Sequence, residues 1–124
     1  MRIPILKQGA YLIVTVQAGT TDTDFLQLRE ELLVMVGTFR ARGVVIDVTA
    51  LDVLDSFASR SLKALAQMVK LRGADTVIVG IQPEVAFAMI QLGLTLPGIA
   101  TALDLEEGLL ALHERERRGR ADGS

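Results

Sequence analysis

The spacing of apolar residues along the chain changes between the period typical of strands and the period typical of helices. Two β-rich runs open the sequence, residues 3–7 and residues 10–17, and Gln8-Gly9 between them predicts a hairpin turn. Three later runs predict further strands: residues 44–46, 76–79 and 99–102. The run at residues 44–46 is wholly apolar and β-branched, which predicts a central strand covered on both faces.

Between these runs, four segments place apolar side chains at three- and four-residue spacing. They predict helices at residues 22–42, 56–72, 83–92 and 104–116. Residues typical of helix starts and ends flank them: Thr21 or Asp22, Gly43, Gly73, Pro83, Gly93 and Asp104. Pro97-Gly98 predicts a turn before the last strand.

Two opening strands followed by repeated helix-strand units define the fold class. They predict an α/β fold with a mixed β-sheet of four to five strands and about four helices packed against it. No linker or internal repeat divides the chain, so we expect a single domain at residues 1–116. The charged residues 117–124 are expected to be a disordered tail.

Composition excludes several classes of function. The 124 residues contain no cysteine, which excludes disulfides, thiolate nucleophiles and thiolate metal sites. The formal net charge of -2 argues against a nucleic-acid partner, because binding phosphates requires a basic face. No apolar run reaches the roughly 18 to 20 residues that cross a bilayer, and the amino terminus lacks a secretory signal. We therefore expect a cytoplasmic protein with no membrane partner.

Catalytic groups are scarce. The sole histidine, His113, falls late in the last predicted helix without an evident orienting partner for a catalytic triad. The carboxylates Asp47, Asp52 and Asp55 follow one strand and could ligate Mg²⁺, although turn and helix-cap roles explain the same residues. No glycine-rich phosphate-binding motif occurs. The sequence therefore predicts a protein that is not an enzyme and that needs no metal or cofactor.

Ser56 is the candidate functional residue. It begins a predicted helix that follows a strand and a loop, which places it at the carboxyl edge of the sheet, where partners of α/β domains usually bind. A plain structural role as helix N-cap explains the same serine. A phosphate on Ser56 would meet the positive end of the helix dipole, so the site can hold both the free and the modified side chain.

Residues 43–49, Gly-Val-Val-Ile-Asp-Val-Thr, precede residues 52–57, Asp-Val-Leu-Asp-Ser-Phe. Together they resemble the strand and phosphorylation loop of STAS domains, the family of sulfate transporters and anti-sigma-factor antagonists. Within this family, residues 3–7, 80–83 and 101–106 also resemble the RsbS-type antagonists of the bacterial stressosome. The resemblance spans residues 2–112.

This resemblance implies a regulatory role. Ser56 corresponds to the serine that an RsbT-type serine kinase phosphorylates, and Asp52, Asp55, Ser56 and Phe57 form the partner-binding loop. The protein would assemble with RsbR-type STAS paralogues, hold the kinase and release it when phosphorylated. Two alternatives stay open: an anti-anti-sigma factor that binds an anti-sigma kinase directly, and a small nucleotide-binding protein.

The apolar content of the chain bears on its assembly. The mean hydropathy is +0.40, which is high for a chain with short strands. Excess apolar surface of this kind usually marks an interface. We therefore expect the protein to form at least a homodimer or to pair with a paralogue.

Overall fold

The computed structural model describes residues 2–94, 96 and 98–122, with side chains up to residue 119. The described part contains one five-stranded sheet and four helices. In chain order these are β1 (Ile5–Gln8), β2 (Tyr11–Thr15), α1 (Asp22–Phe39), β3 (Gly43–Asp47), α2 (Ser56–Leu71), β4 (Asp75–Val79), α3 (Pro83–Leu92), β5 (Ala100–Ala102) and α4 (Leu105–Asp122). The predicted mixed sheet with its helices is confirmed.

The strands lie side by side in chain order, β1-β2-β3-β4-β5. The hairpin pair β1 and β2 is antiparallel, and each later strand runs parallel to its neighbour. In register, Thr15 lies opposite Asp47, and Asp47 opposite Val79. The carboxyl ends of β2, β3 and β4 therefore meet at one edge, and the loops that follow β3 and β4 lie next to each other.

Both faces of the sheet are covered. Alternate strand residues, including Leu12, Ile46 and Ile78, pack into the larger core with α1, α2 and α3. The other set, which includes Val45 and Val77, packs on the opposite face with side chains of α4. The predicted burial of the central strand is confirmed, because three consecutive residues of β3, Val44 to Ile46, have no exposed surface.

The ends of α1 differ in part from the predicted ends. Thr21 is the N-cap: its Oγ1 accepts a hydrogen bond from Asp24 N at 3.2 Å, and Thr21 N donates to Asp24 Oδ2 at 2.9 Å. The hydrogen bond from the Thr21 backbone lowers the pKa of Asp24. The helix ends at Phe39, with Arg40 in the left-handed conformation, and not beside Gly43. Gly43 instead begins β3, where a Cβ would lie about 3 Å from side-chain atoms of Leu112 and Tyr11.

The last helix is longer than the sequence predicted. Asp104 Oδ1 accepts from Glu107 N at 2.9 Å, which fits the predicted cap, but α4 continues to Asp122. The expectation of disorder from residue 117 onward is thus wrong for the described residues 117–122. Arginine and alanine, which favour helices, occupy four of these six positions, and Arg117 pairs with Glu114 one turn earlier at 3.2 Å. Pro97 of the predicted turn and residues 123 and 124 lie outside the described residues.

Candidate functional site

The loop between β3 and α2 carries the candidate site at the carboxyl edge of the sheet. Asp47, the last residue of β3, accepts two hydrogen bonds on Oδ1, from Thr49 N at 2.9 Å and from Thr49 Oγ1 at 2.6 Å. Farther along, Leu51 and Leu54 are buried, at 8% and 5% exposure, and anchor the loop to the larger core. Asp52 between these two leucines is exposed. The loop therefore has a fixed path, and its outer surface carries the exposed carboxylates Asp52 and Asp55 together with Val53, which is 73% exposed.

The loop that follows β4 holds this path in place. Val48 N donates to Val79 O at 3.0 Å, and Gln82 Nε2 donates to Thr49 O at 2.6 Å. Gly80 has a φ of +79°, and a Cβ at this position would lie 1.9 Å from Thr49 Oγ1. Only a glycine permits both this backbone conformation and this close approach.

Ser56 is the first residue of α2, but it is not the residue that caps the helix. Asp55 is the N-cap, and its Oδ1 accepts a hydrogen bond from Ala58 N at 2.8 Å. The interpretation of Ser56 as the N-cap is therefore wrong, because the preceding aspartate takes that hydrogen bond. Ser56 itself is exposed. Its hydroxyl is available to a partner without loss of the cap.

The four residues of the predicted partner-binding loop differ in exposure. Asp52, Asp55 and Ser56 are exposed, whereas Phe57 is half-buried and packs against the larger core. Phe57 thus anchors the first turn of α2, while Asp55 is the neighbour of the serine and Asp52 adds a second exposed carboxylate to the loop. The structure brings all four residues to one edge of the domain.

The other candidate chemistry finds less support in the geometry. Asp47 and Asp55 serve in the turn and the helix cap that the sequence offered as the alternative to a Mg²⁺ site. In the described part of the chain, no three His, Cys, Asp or Glu side chains converge where they could hold a metal ion. His113 is exposed on α4, the helix on the opposite face of the sheet from α2.

Sequence reasoning missed Thr49, Gly80 and Gln82 as residues that position the loop. Residues 80–83 entered only through the resemblance, and a glycine after a strand is typical of many turns. The contact of Gly80 with Thr49 joins residues that are far apart in sequence, so no local pattern could indicate it.

Loss of the Asp55 cap should destabilise the protein even though the Ser56 side chain is unchanged. We expect Asp55→Ala to lower the free energy of unfolding by about 1 kcal/mol, because the Ala58 N–H loses its acceptor. Asp55→Ser should restore most of the loss, and exposed Asp52→Ala should change stability by less than about 0.5 kcal/mol. Urea unfolding followed by circular dichroism measures these differences, and equal stability of Asp55→Ala and Asp52→Ala would contradict the assigned cap.

Comparison with known proteins places this geometry in a family. The fold and the loop define a small α/β domain that presents a serine at the carboxyl edge of a mixed sheet. The family model described as STAS domain matches residues 2–107. This match covers most of the chain, and the protein belongs to the STAS domain family.

The similar proteins include RsbS, a stressosome structure and an RsbT co-antagonist. RsbS from Moorella thermoacetica, solved with a serine replaced by glutamate, is 39% identical, with a TM-score of 0.81, over 94% of this chain and 99% of that one. A structure describing the molecular architecture of the stressosome is 39% identical, with a TM-score of 0.79, over 92% of this chain and 99% of that one. The RsbT co-antagonist protein RsbRA from Bacillus subtilis is 30% identical over 93% of this chain. The chain spans only 43% of the length of RsbRA.

None of the helices among the described residues combines the length and the apolar character that a bilayer span requires.

Proposed function

We propose that this protein is a non-enzymatic regulatory scaffold of a stressosome-like complex, which holds an RsbT-type serine kinase and releases it when Ser56 is phosphorylated. The observation that carries the proposal is the exposed Ser56 hydroxyl next to Asp55, which caps the helix in its place. The similarity to RsbS and to an RsbT co-antagonist supports this role.

The proposed step is a phosphoryl transfer in which the kinase supplies ATP. The Ser56 oxygen attacks the γ-phosphorus, the bond to the bridging oxygen breaks, ADP leaves, and the hydroxyl proton passes to a base on the kinase. The phosphate adds about 1.5 to 2 negative charges beside Asp52 and Asp55. At the start of α2 the helix dipole and free N–H groups stabilise this charge, whereas a kinase surface docked on the acidic loop would meet repulsion.

Assembly with STAS paralogues is supported by the surface of α3. Phe87, Ile90 and Leu92 on this helix are 65%, 76% and 67% exposed. Three large apolar side chains on one short helix favour contact with another protein. A second copy of the chain and an RsbR-type paralogue are the partners that we propose.

The assembly can be measured directly. We expect the isolated chain to form a small oligomer, at least a dimer, and to form particles of much larger mass only with an RsbR-type paralogue. Size-exclusion chromatography with light scattering measures both masses. The Phe87→Ser and Ile90→Ser variants should reduce assembly, and exposed Ala50→Ser is the control that should not. A chain that stays strictly monomeric and does not bind the paralogue would contradict the scaffold function.

The anti-anti-sigma function stays open as the alternative, because the same switch would act on a different kinase. The partner discriminates between the two functions. Capture of an RsbT-type kinase supports the scaffold, whereas capture only of a kinase that itself binds a sigma factor supports the alternative.

A further inference from the structure

A groove between α1 and α2 lies directly beside the switch serine. It has a volume of about 250 Å³, and Phe57, the residue after Ser56, forms part of its lining. The groove is mainly apolar, with Phe25 and Leu65 from the core and the half-buried Met68. Leu26 in its wall is 47% exposed. The groove therefore offers apolar surface next to the residue that a kinase must reach.

The charge of this groove is opposite to the charge of the loop. Arg29 from α1 and Arg60 from α2 line it, and none of the carboxylates that the structure describes does. Arg29 lies 3.6 Å from Glu30, measured between Nη2 and Oε1. Arg60 forms no ion pair with any residue that the structure describes. A segment that fits the groove would thus combine apolar side chains with at least one carboxylate.

Arg60 also stands where a phosphate on Ser56 can reach it. The two residues are four apart on α2, and both are exposed. Side chains at this spacing lie on the same face of a helix, with their Cβ atoms about 5 to 6 Å apart. Arginine binds phosphate through paired N–H donors, so Arg60 can hold either a partner carboxylate or the Ser56 phosphate.

We propose that the α1–α2 groove docks an apolar and acidic segment of the kinase, and that Arg60 pairs with this segment until the Ser56 phosphate replaces it. The proposal rests on the function proposed above and names the surface by which the kinase is held. The kinase is the occupant because its surface must cover Ser56 and therefore extends over the adjoining groove. Release then has two parts: repulsion at the acidic loop and loss of the Arg60 contact.

Charge reversal in the groove tests the docking surface. With a purified RsbT-type kinase and isothermal titration, Arg60→Glu should weaken capture by about tenfold or more, because it replaces attraction to a carboxylate by repulsion. Lys63→Glu is the matched control, since it makes the same charge change three residues on, outside the groove lining. It should change capture less than about twofold. Melting temperatures of both variants should stay close to that of the unchanged protein.

Phosphoserine placed at position 56 by genetic-code expansion tests the exchange. Phosphoserine should weaken capture less in Arg60→Gln than in the unchanged protein, because the arginine contact is already absent. In ³¹P NMR titrations without kinase, the phosphate should titrate at a higher pH in Arg60→Gln than in the unchanged sequence, whereas Lys63→Gln should leave it nearly unchanged. An equal pKa of the phosphate in the unchanged sequence, Arg60→Gln and Lys63→Gln would overturn the proposed exchange.

The outcomes separate this inference from the proposed function. If the unchanged protein captures no kinase, the proposed function fails. If it captures the kinase and phosphoserine releases it, but Arg60→Glu behaves like Lys63→Glu, the inference alone is overturned. A change in the mass of the isolated protein on Arg60→Glu, with kinase capture unaltered, would assign the groove to a second copy of the chain and would also overturn it.

Discussion

Ser56→Ala should abolish phosphorylation and keep the kinase captured, whereas Ser56→Glu should weaken capture by about tenfold to a hundredfold, because like charges brought together across an interface repel. Neither change should alter the free energy of unfolding by more than about 0.5 kcal/mol, because Asp55 and not Ser56 accepts the capping hydrogen bond. Binding and stability are thereby separated at this residue. Glutamate supplies only part of the charge of a phosphate, so phosphorylation itself should have the larger effect.

Three quantities test this prediction: the site of phosphorylation, the affinity for the kinase and the melting temperature of each variant. Mass spectrometry after incubation with the kinase and ATP should locate the phosphate on Ser56, and titration should give the affinity of each variant. Thr38→Glu is the control, because it adds the same charge near the end of α1, at the opposite edge of the sheet. A phosphate on Ser61 or Thr49, or loss of capture in Thr38→Glu equal to that in Ser56→Glu, would contradict Ser56 as the switch. Ser59 is 4% exposed, which hides its hydroxyl from a kinase.

Gly80→Ala should lower the free energy of unfolding by about 3 kcal/mol. A side chain at the left-handed conformation costs roughly 1 to 2 kcal/mol, and the close approach to Thr49 adds a packing penalty of about 1 to 3 kcal/mol. Because Thr49 belongs to the loop that leads to Ser56, we also expect slower phosphorylation of this variant by the kinase.

Gly93→Ala provides the matched control for this prediction. Gly93 has a φ of +68°, similar to that of Gly80, but among the described residues, apart from its chain neighbours and the adjoining backbone, no atom lies within 4 Å of the position that its Cβ would take. Its substitution should therefore lower the free energy of unfolding by about 1 to 2 kcal/mol, the cost of a left-handed backbone conformation at alanine. Urea unfolding of both variants gives the difference. Equal losses would show that contact with Thr49 does not restrain the loop.

Much of the fold could be predicted because it depends on local periodicity. Apolar spacing indicated the position of each strand and helix, since a helix or strand must bury one stripe or face, although α4 continues to Asp122 and not only to residue 116. The unbroken apolar run at residues 44–46 identified β3 as central, and the strand that leads into the Ser56 loop indicated the carboxyl edge. The ends of the elements were less accurate, because Arg40 and not Gly43 adopts the left-handed conformation that ends α1.

The candidate site shows where local pattern stops being sufficient. Asp55 and Ser56 are adjacent and are equally good N-caps, so propensity alone could not decide between them. The burial of Leu51 and Leu54 fixes the path of the loop and thereby makes Asp55 the cap. The Gly80 contact with Thr49 and the groove between α1 and α2 likewise bring together residues from separate elements.

The sequence by itself determined that Ser56 begins a helix at the carboxyl edge, because short-range spacing encodes it. Only the tertiary structure decided that the Ser56 hydroxyl is left to solvent, because long-range packing sets which side chain meets the first N–H groups of α2.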